Sequence, residues 1–204
     1  MRAAPGAIER VQIIDGKFTI QTIDHLAPIG ICGSGILDAI ACMLQGGIID
    51  QRGSFITSHP SVRMSDQKRE FVLVEHQRSG NGHDLVITRQ DINEIQLAKG
   101  AIRAGIDVLL DCAGISADSV EDFIIAGAFG TYINVPSAIQ VHMFPELPLH
   151  RFSQVGNAAG AGARQMLLSV EQRRVAEQIA RRVNYIELSN YPNFTNIFSR
   201  SLFL

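Results

Sequence analysis

Apolar residues recur along the chain in short runs separated by turn residues, a pattern typical of β-hairpins. Asp15-Gly16 lies between the first two runs, and Ser79-Gly80-Asn81-Gly82 lies between the second two. Both turns contain the residue types that tight hairpin connections need. The strands of the two predicted hairpins are residues 11–14 with 18–20, and residues 71–74 with 85–88.

Other stretches carry apolar residues at helical spacing. The longest predicted helix covers residues 91–113, with Thr88 or Asp91 as its N-cap and Gly114 at its end. Residues 36–44 and 171–182 have the same periodicity, and a shorter helix is predicted at residues 136–141 after Asn134. Residues 50–69 are polar and aperiodic and indicate a surface excursion, whereas residues 185–188 indicate a short strand.

A strand followed by a glycine turn stands near the middle of the chain. Residues 123–126 form a continuous apolar run, which predicts a strand buried on both faces, and Gly127 and Gly130 follow it. Nucleotides are commonly held where such a strand meets a glycine turn and a helix. A tight connection without a ligand explains the same residues, and both interpretations stay open. Residues 158–163 are all small, so their helix could pack closely against the sheet or the turn.

Two further groups of residues are candidate ligand contacts. Gly33-Ser34-Gly35 opens the first helix, where free amide hydrogens attract anions. The alternative is that Ser34 is a plain N-cap and the glycines are close-packing points. Gln96, Lys99 and Arg103 share a polar face of the long helix. Such residues usually form a solvated surface.

Composition narrows the classes of function. The 204 residues are 46% hydrophobic with a formal net charge of −2, and no basic patch suggests nucleic acid. No apolar run is long enough to cross a membrane, and the N-terminus has no signal pattern. Cys32, Cys42 and Cys112 form no CxxC pair, and the six histidines lack ligand spacing. We therefore expect no metal site, reduced thiols and a cytoplasmic location.

The order of these motifs resembles the actin-like ATPases, which include acetate and sugar kinases, heat-shock chaperone ATPases and actin. More closely, the chain is similar to the C-terminal domain of reductive activators of corrinoid proteins. The likeness covers nearly the whole chain and rests on five ordered motifs: MRAAPGAIE, PIGICGSGILDAI, QLAKGAIRAGIDVLL, IIAGAFGTYIN and QVGNAAGAGAR. The resemblance implies an α/β fold, a ribonuclease-H-like actin-family lobe with a mixed sheet and helices on both faces.

The resemblance also implies a function. Members of that family carry an N-terminal [2Fe-2S] domain and use ATP with Mg to return a Co(II) corrinoid to Co(I) for methyl transfer. Residues 1–204 correspond to a single domain, the C-terminal lobe of the actin-like ATPase. The ferredoxin-type domain and the phosphate-binding lobe with its Asp-x-Gly-Thr motif are absent from these residues. We therefore expect this lobe alone to be catalytically incomplete and assign it no catalytic residue.

By the same resemblance, Gly127, Ala128 and Gly130 would lie against the ribose and base of ATP or ADP. Gln96, Lys99 and Arg103 would close the site from the other side, as polar helix residues do in the chaperone ATPases. Gly33, Ser34 and Gly35 would lie near the phosphates or pack the helix. The expected partner is a corrinoid protein or a corrinoid-dependent methyltransferase, and a homodimer is possible.

Two rival functions are distinguishable. The chain could be a docking module that contacts a corrinoid protein or methyltransferase without binding nucleotide. An acidic or apolar patch without a concave glycine-lined pocket would favour that hypothesis. A small-molecule kinase of the acetate type is disfavoured because no phosphate loop or candidate base is visible in the sequence.

Overall fold

The computed structural model describes residues 1–56 and 59–204, without the side chains of Ala128 and Phe129. Its strands are β1 Ala7–Ile14, β2 Lys17–Thr22, β3 Gly30–Ile31, β4 Val62–Ser65, β5 Lys68–Val74, β6 Leu85–Thr88, β7 Phe123–Ala126 and β8 Phe152–Gly156. Its helices are α1 Gly33–Gln45, α2 Arg89–Ala113, α3 Ala128–Tyr132, α4 Val135–Gln140, α5 Ala158–Leu168, α6 Val170–Ala180 and α7 Phe194–Ser201.

The first hairpin forms as predicted and belongs to a small mixed sheet. Strand β1 pairs antiparallel with β2 and parallel with β3, in the order β2-β1-β3. Helix α1 packs against β1. This approach is close, because a Cβ added at Gly35 would collide with the carbonyl of Ile8 on β1. Gly35 therefore fixes how near the amino end of α1 lies to the sheet.

The second hairpin also forms, within an antiparallel sheet of order β4-β5-β6. The interpretation of residues 50–69 as an aperiodic surface excursion was wrong, because β4 and the start of β5 lie there. These strands escaped notice because β4 is only partly buried, so pairing with β5 contributes to its stability beside the packing of Val62 on the core. Residues 57 and 58, also in that stretch, lie outside the described residues.

Helix α2 begins at Arg89 and ends before Gly114, within two residues of the predicted bounds. Thr88 and Asp91 form a capping box, in which each side chain accepts a hydrogen bond from the other residue's backbone amide. Gly114 ends the helix in the left-handed conformation. Helix α7, which was not predicted, packs along α2.

Strand β7 pairs in parallel with β8. The prediction of a strand buried on both faces was wrong. Ile125 is buried, but the Ile124 side chain is 64% exposed, so β7 alternates between a covered and an open face. Strand β8 was also missed, since its pairing joins residues about 30 positions apart. Helix α4 follows with Asn134 as its N-cap, as predicted; its side chain accepts a hydrogen bond from the Ser137 amide.

The C-terminal third is more open than expected. Helices α5 and α6 form, but neither has a buried residue, and α5 packs against α6. The expected close contact between residues 158–163 and the sheet or glycine turn is therefore not made within the described residues. An added Cβ at Gly160 would lie nearest to the side chain of its own N-cap, Asn157, and one at Gly162 would meet nothing within 4 Å among the described residues. The short strand predicted at 185–188 was wrong, since a 3-10 turn lies at Leu188–Asn190.

The hydrophobic core joins α1, the hairpin sheets and the loops around α4. Its largest fully buried apolar side chains include Phe71, Ile8, Leu37, Ile40 and Met43. Three phenylalanine rings cluster beside β7 and β8, with Phe144 and Phe152 stacked and Phe123 tilted against both. None of the helices in the described ranges has the length and apolar character of a membrane span.

Candidate functional site

A cavity of about 580 Å³ lies where the amino end of α1 meets the end of α3. Gly33 and Ser34 line one side, Tyr132 lines another, and Arg2 and Glu9 contribute opposite charges. Tyr132 is the last residue of the short helix that begins after Gly127. The cavity therefore lies between the Gly33-Ser34 turn and the last residue of α3, and Gly127 and Gly130 are not among its lining residues.

The first turn of α1 leaves its amides available to an anion. Cys32 is the N-cap residue and makes no side-chain capping bond, so the interpretation of Ser34 as the N-cap was wrong. Ser34 instead lies buried inside the first turn, 3.4 Å from the Cys32 sulfur. Gly35 is a close-packing residue against β1, as its alternative interpretation stated. Gly33 and Ser34 are thus the members of this motif that face the cavity.

The turn after β7 depends on the backbone freedom of Gly127. Its φ of +105° is strained for any residue with a side chain, and open space surrounds the position of a Cβ. Its amide donates a hydrogen bond of 2.6 Å to the Gly156 carbonyl, which ties the turn to the end of β8. Gly130 is buried, and a Cβ there would lie 2.6 Å from the Ile125 side chain. The side chain of Ala128 lies outside the described residues.

The polar face of α2 binds the C-terminal segment, residues 201–204. The Gln96 amide donates a hydrogen bond of 2.9 Å to the Leu202 carbonyl, and the Lys99 ammonium donates one to the Phe203 carbonyl. Lys99 is fully buried, and burial, with the charge of Arg103, lowers its pKa to about 8. Arg103 pairs with Asp107 at 2.9 Å. The usual expectation of a solvated face was therefore wrong for Gln96 and Lys99.

The described cavities place these groups in different surroundings. Gln96 lines a cavity of about 480 Å³ with Arg89, Leu97 and Phe203. Arg103 lines another of about 630 Å³ with His142 and Arg200. Gly33 and Ser34 share theirs with Tyr132. The structure thus brings the α1 turn together with the end of α3, and it brings the α2 residues together with the C-terminal segment.

Asp38 is a buried charged residue that the sequence pattern did not single out. Its side chain is fully excluded from solvent, 3.8 Å from the Arg10 guanidinium and 3.4 Å from the amide of Val11. Burial raises the pKa of Asp38 above its usual range, although Ser137, Val11 and Arg10 oppose that shift. The available signal was a carboxylate within the apolar stripe of residues 36–44, one turn after the Gly33-Ser34-Gly35 motif.

Other residues that line the cavity were also missed. Arg2 and Tyr132 belong to two of the motifs that carry the family resemblance, but no local pattern marks their side chains as cavity residues. Only the fold places the N-terminal loop beside α3.

The cysteines do not form a ligand set for a metal cluster. Cys32 and Cys42 are buried, Cys112 is exposed, and all three are free thiols. Burial raises the pKa of Cys42 to about 11, so it stays protonated. Within residues 1–56 and 59–204, no group of three or more His, Cys, Asp and Glu side chains is arranged to hold a metal ion.

Comparison with known proteins first defines the class. A family model described as the C-terminal domain of RACo, the ASKHA domain, matches residues 1–204. The α/β actin-like fold is thereby confirmed. The chain belongs to this family of C-terminal domains of reductive activators for corrinoid proteins, and the resemblance drawn from the five motifs is confirmed as well.

The names of two individual relatives agree with this family. The corrinoid activation enzyme RamQ of Eubacterium limosum is 38% identical over 207 residues, covering 97% of this chain and 35% of that protein. The [Co(II) methylated amine-specific corrinoid protein] reductase of Methanosarcina barkeri is 25% identical over 172 residues, covering 83% of this chain and 28% of that one.

A solved structure, a reductive activator for corrinoid, iron-sulfur protein, superposes with a TM-score of 0.90 at 39% identity. That superposition covers 100% of this chain and 33% of the activator. The chain therefore spans about a third of the length of the relatives that it matches.

Proposed function

We propose that this chain supplies part of the ATP site of a reductive activator, which returns a Co(II) corrinoid protein to Co(I). The observation that carries the proposal is the cavity shared by Gly33, Ser34 and Tyr132. It joins the uncapped amides at the start of α1 to the helix that begins after Gly127. A helix N-terminus with free amides, beside a cavity that the end of α3 also borders, suits the phosphates of a nucleotide.

The residues present fit the phosphate end of a nucleotide. Uncapped first-turn amides and the positive end of the α1 dipole attract negative charge, and Arg2 adds a cation at the same cavity, which the Glu9 carboxylate also lines. Gly127 leaves room for a ribose or base, because none of the described atoms beyond its chain neighbours lies within 4 Å of its missing side chain. Bound ATP with Mg would supply the free energy for an unfavourable electron transfer to cobalt.

Two other parts of the proposed activity lie outside these residues. The three free thiols do not fit a [2Fe-2S] cluster, so we assign that cluster to an N-terminal domain of the kind family members carry. The carboxylate that holds Mg is assigned to the phosphate-binding lobe. The partner is a corrinoid protein or a corrinoid-dependent methyltransferase, and the named activities of the relatives support this class of partner.

The test is calorimetric titration of the 204-residue chain with ATP, ADP and adenosine. We expect weak binding, with a dissociation constant from the high micromolar to the millimolar range, or about 4–6 kcal/mol. Arg2→Ala should weaken ATP more than adenosine, because the removed charge faces the phosphates. Arg78→Ala, an exposed arginine on the β5–β6 connection, is the matched control.

Equal affinity of the Arg2 and Arg78 variants for ATP would show that the phosphates of ATP do not bind in this cavity. A folded chain that gives no heat with any of the three ligands would instead favour the docking module.

A further inference from the structure

The cavity of about 480 Å³ beside the first turns of α2 contains two arginines and no acidic residue among the described residues that line it. Arg52 comes from the loop before β4, Arg89 is the first residue of α2, and Leu97 and Phe203 supply apolar surface. A concave site of this size, with a mainly apolar lining and a few polar groups, is typical of sites for small molecules. The proposed nucleotide site lies at a different cavity and uses none of these residues.

The guanidinium of Arg89 is held in place by protein groups. Its Nη1 donates a hydrogen bond of 2.9 Å to Oε1 of Gln96, and its Nη2 donates one of 2.7 Å to the Arg52 carbonyl. Gln96 is buried and is itself fixed, since its Nε2 donates a hydrogen bond to the Leu202 carbonyl. Within the described residues, the other N–H groups of Arg89 make no hydrogen bond. An arginine that is already positioned loses little conformational freedom when it binds an anion.

The close packing of the loop that carries Arg52 depends on Gly53. An added Cβ at Gly53 would lie 2.5 Å from Nη1 of Arg89, so any side chain there would collide with the guanidinium. The φ of Gly53 is +73°, a conformation that residues with side chains rarely adopt. Asp50 fixes the same loop, because its Oδ1 accepts hydrogen bonds from the amides of Arg52 and Ser54. The loop therefore holds the backbone of Arg52 against the guanidinium of Arg89.

The positive charge of this cavity is not neutralised by a neighbouring carboxylate. Among the described residues, neither Arg52 nor Arg89 forms an ion pair. Asp50 and Asp91 accept hydrogen bonds from backbone amides, and Glu94 does not line the cavity. Guanidinium groups match the oxygens of carboxylates and phosphates in both charge and geometry. The polar side of the cavity therefore favours an anion.

We propose that this cavity binds a small organic anion in which a carboxylate or a phosphate is attached to a flat apolar group. The anionic group lies against Arg52 and Arg89, and the apolar group lies against Leu97 and Phe203, whose side chains are each 48% exposed. Burial of this exposed apolar surface adds to the attraction between the charges. A simple inorganic anion lacks the first contribution, and a neutral apolar molecule lacks the second. This inference does not depend on the proposed nucleotide site.

The test is nuclear magnetic resonance titration of the 204-residue chain with benzoate, phenyl phosphate, benzyl alcohol and inorganic phosphate. Benzoate and phenyl phosphate combine an aromatic ring with an anion, and they distinguish a carboxylate ligand from a phosphate ligand. Benzyl alcohol has the ring without the charge, and inorganic phosphate has the charge without the ring. We expect benzoate or phenyl phosphate at millimolar concentration to shift the amides of Arg89, Asn93 and Leu97. The other two probes should bind at least about tenfold more weakly.

Variants locate the bound anion. Arg52→Glu should weaken the binding of benzoate and phenyl phosphate at least about tenfold and leave that of benzyl alcohol unchanged. Arg52 is exposed and only its backbone takes part in the loop hydrogen bonds, so folding should survive, and circular dichroism checks it. Arg78→Glu makes the same change of charge at another exposed arginine and should bind the probes like the wild type. Leu97→Ser should weaken every probe that has a ring, because it removes apolar surface without changing charge.

Several results would overturn the proposal. One is the absence of amide shifts with every probe at millimolar concentration. Benzyl alcohol that binds as tightly as both ring anions would show that the arginines take no part. Inorganic phosphate that binds as tightly as phenyl phosphate would mean an adventitious ion only. Equal affinities of the Arg52 and Arg78 variants, or shifts confined to Gly33 and Tyr132, would place the probes outside this cavity.

Discussion

Lys99 and Gln96 hold the C-terminal segment onto α2. Both side chains donate hydrogen bonds to backbone carbonyls, those of Phe203 and Leu202, and the amide of Leu204 donates to the carbonyl of Gln51 at 2.8 Å. An added Cβ at Gly100 would lie 2.9 Å from the Leu202 side chain, so the small residue next to Lys99 is part of the same contact. The motif Gln96–Gly100 therefore has a structural role that accounts for its residue types without a ligand.

The buried ammonium of Lys99 makes stability depend on pH. Its pKa in the folded chain is lowered to about 8 from 10.5, so between these values the unfolded chain binds a proton that the folded chain does not. The contribution of Lys99 to the free energy of unfolding should therefore rise with pH across that window, opposite in sign to the contribution of Cys42, whose pKa is raised to about 11. Lys99→Met should remove this rise, whereas Lys68→Met, at an exposed position, should leave it unchanged.

Urea unfolding of the three proteins at about pH 7.5 and about pH 10 measures the difference. Identical pH dependence in the wild type and in the Lys99 variant would show that the ammonium is not desolvated in the folded chain.

Sequence periodicity could place Gln96, Lys99 and Arg103 on one face of α2, and it did so correctly. It could not say what covers that face, because the covering residues lie about 100 positions further along the chain. The same limit applies to Tyr132 and Arg2, which reach the cavity only through the fold. Whether the α2 residues also contact a nucleotide stays a prediction.

At the scale of elements, Gly35 of α1 and Gly162 of α5 have opposite surroundings. Gly35 lies at the start of α1 against the Ile8 carbonyl, where any side chain collides with backbone. Gly162 lies on α5 with no atom within 4 Å of an added Cβ. One glycine is required by packing, and the other only weakens its helix.

This difference predicts opposite effects for one substitution. Gly35→Ala should lower the free energy of unfolding by about 1–3 kcal/mol, the cost of overpacking against β1. Gly162→Ala should raise the stability of α5 by about 0.5–1 kcal/mol, because alanine is the better helix former. Denaturant unfolding checks the first, and helix content by circular dichroism checks the second. A destabilising Gly162→Ala would mean that α5 is covered closely, as the sequence had suggested.

Local signals predicted some elements well and others poorly. The Asp15-Gly16 hairpin, the N-cap of α2 at Thr88, one of the two candidates, and the Asn134 cap are encoded by neighbouring residues, and each is present. Strands β4 and β8 were missed because their main support is pairing with a partner strand. Strand β7 was predicted, but its open face was not, since a run of apolar residues does not reveal how many sides are covered.

At the scale of the molecule, the chain is the C-terminal ASKHA domain of a family whose named relatives activate or reduce corrinoid proteins. The α1 and β7 motifs, recognised separately in the sequence, converge because α1 contacts α3 and α4 within one core. The buried Asp38 lies on α1 one turn after Ser34, and Ser137 of α4 opposes the rise of its pKa. The nucleotide proposal rests on that convergence.

The most direct measurement is a nuclear magnetic resonance titration of the isotope-labelled 204-residue chain with ATP. We predict that the largest amide shifts fall at Gly33, Ser34, Gly127 and Tyr132, the residues of the two converging turns. Gln96 and Lys99 should shift less, because the C-terminal segment covers them. Shifts confined to α2 and residues 201–204, with Gly33 and Gly127 unchanged, would contradict the proposed nucleotide site.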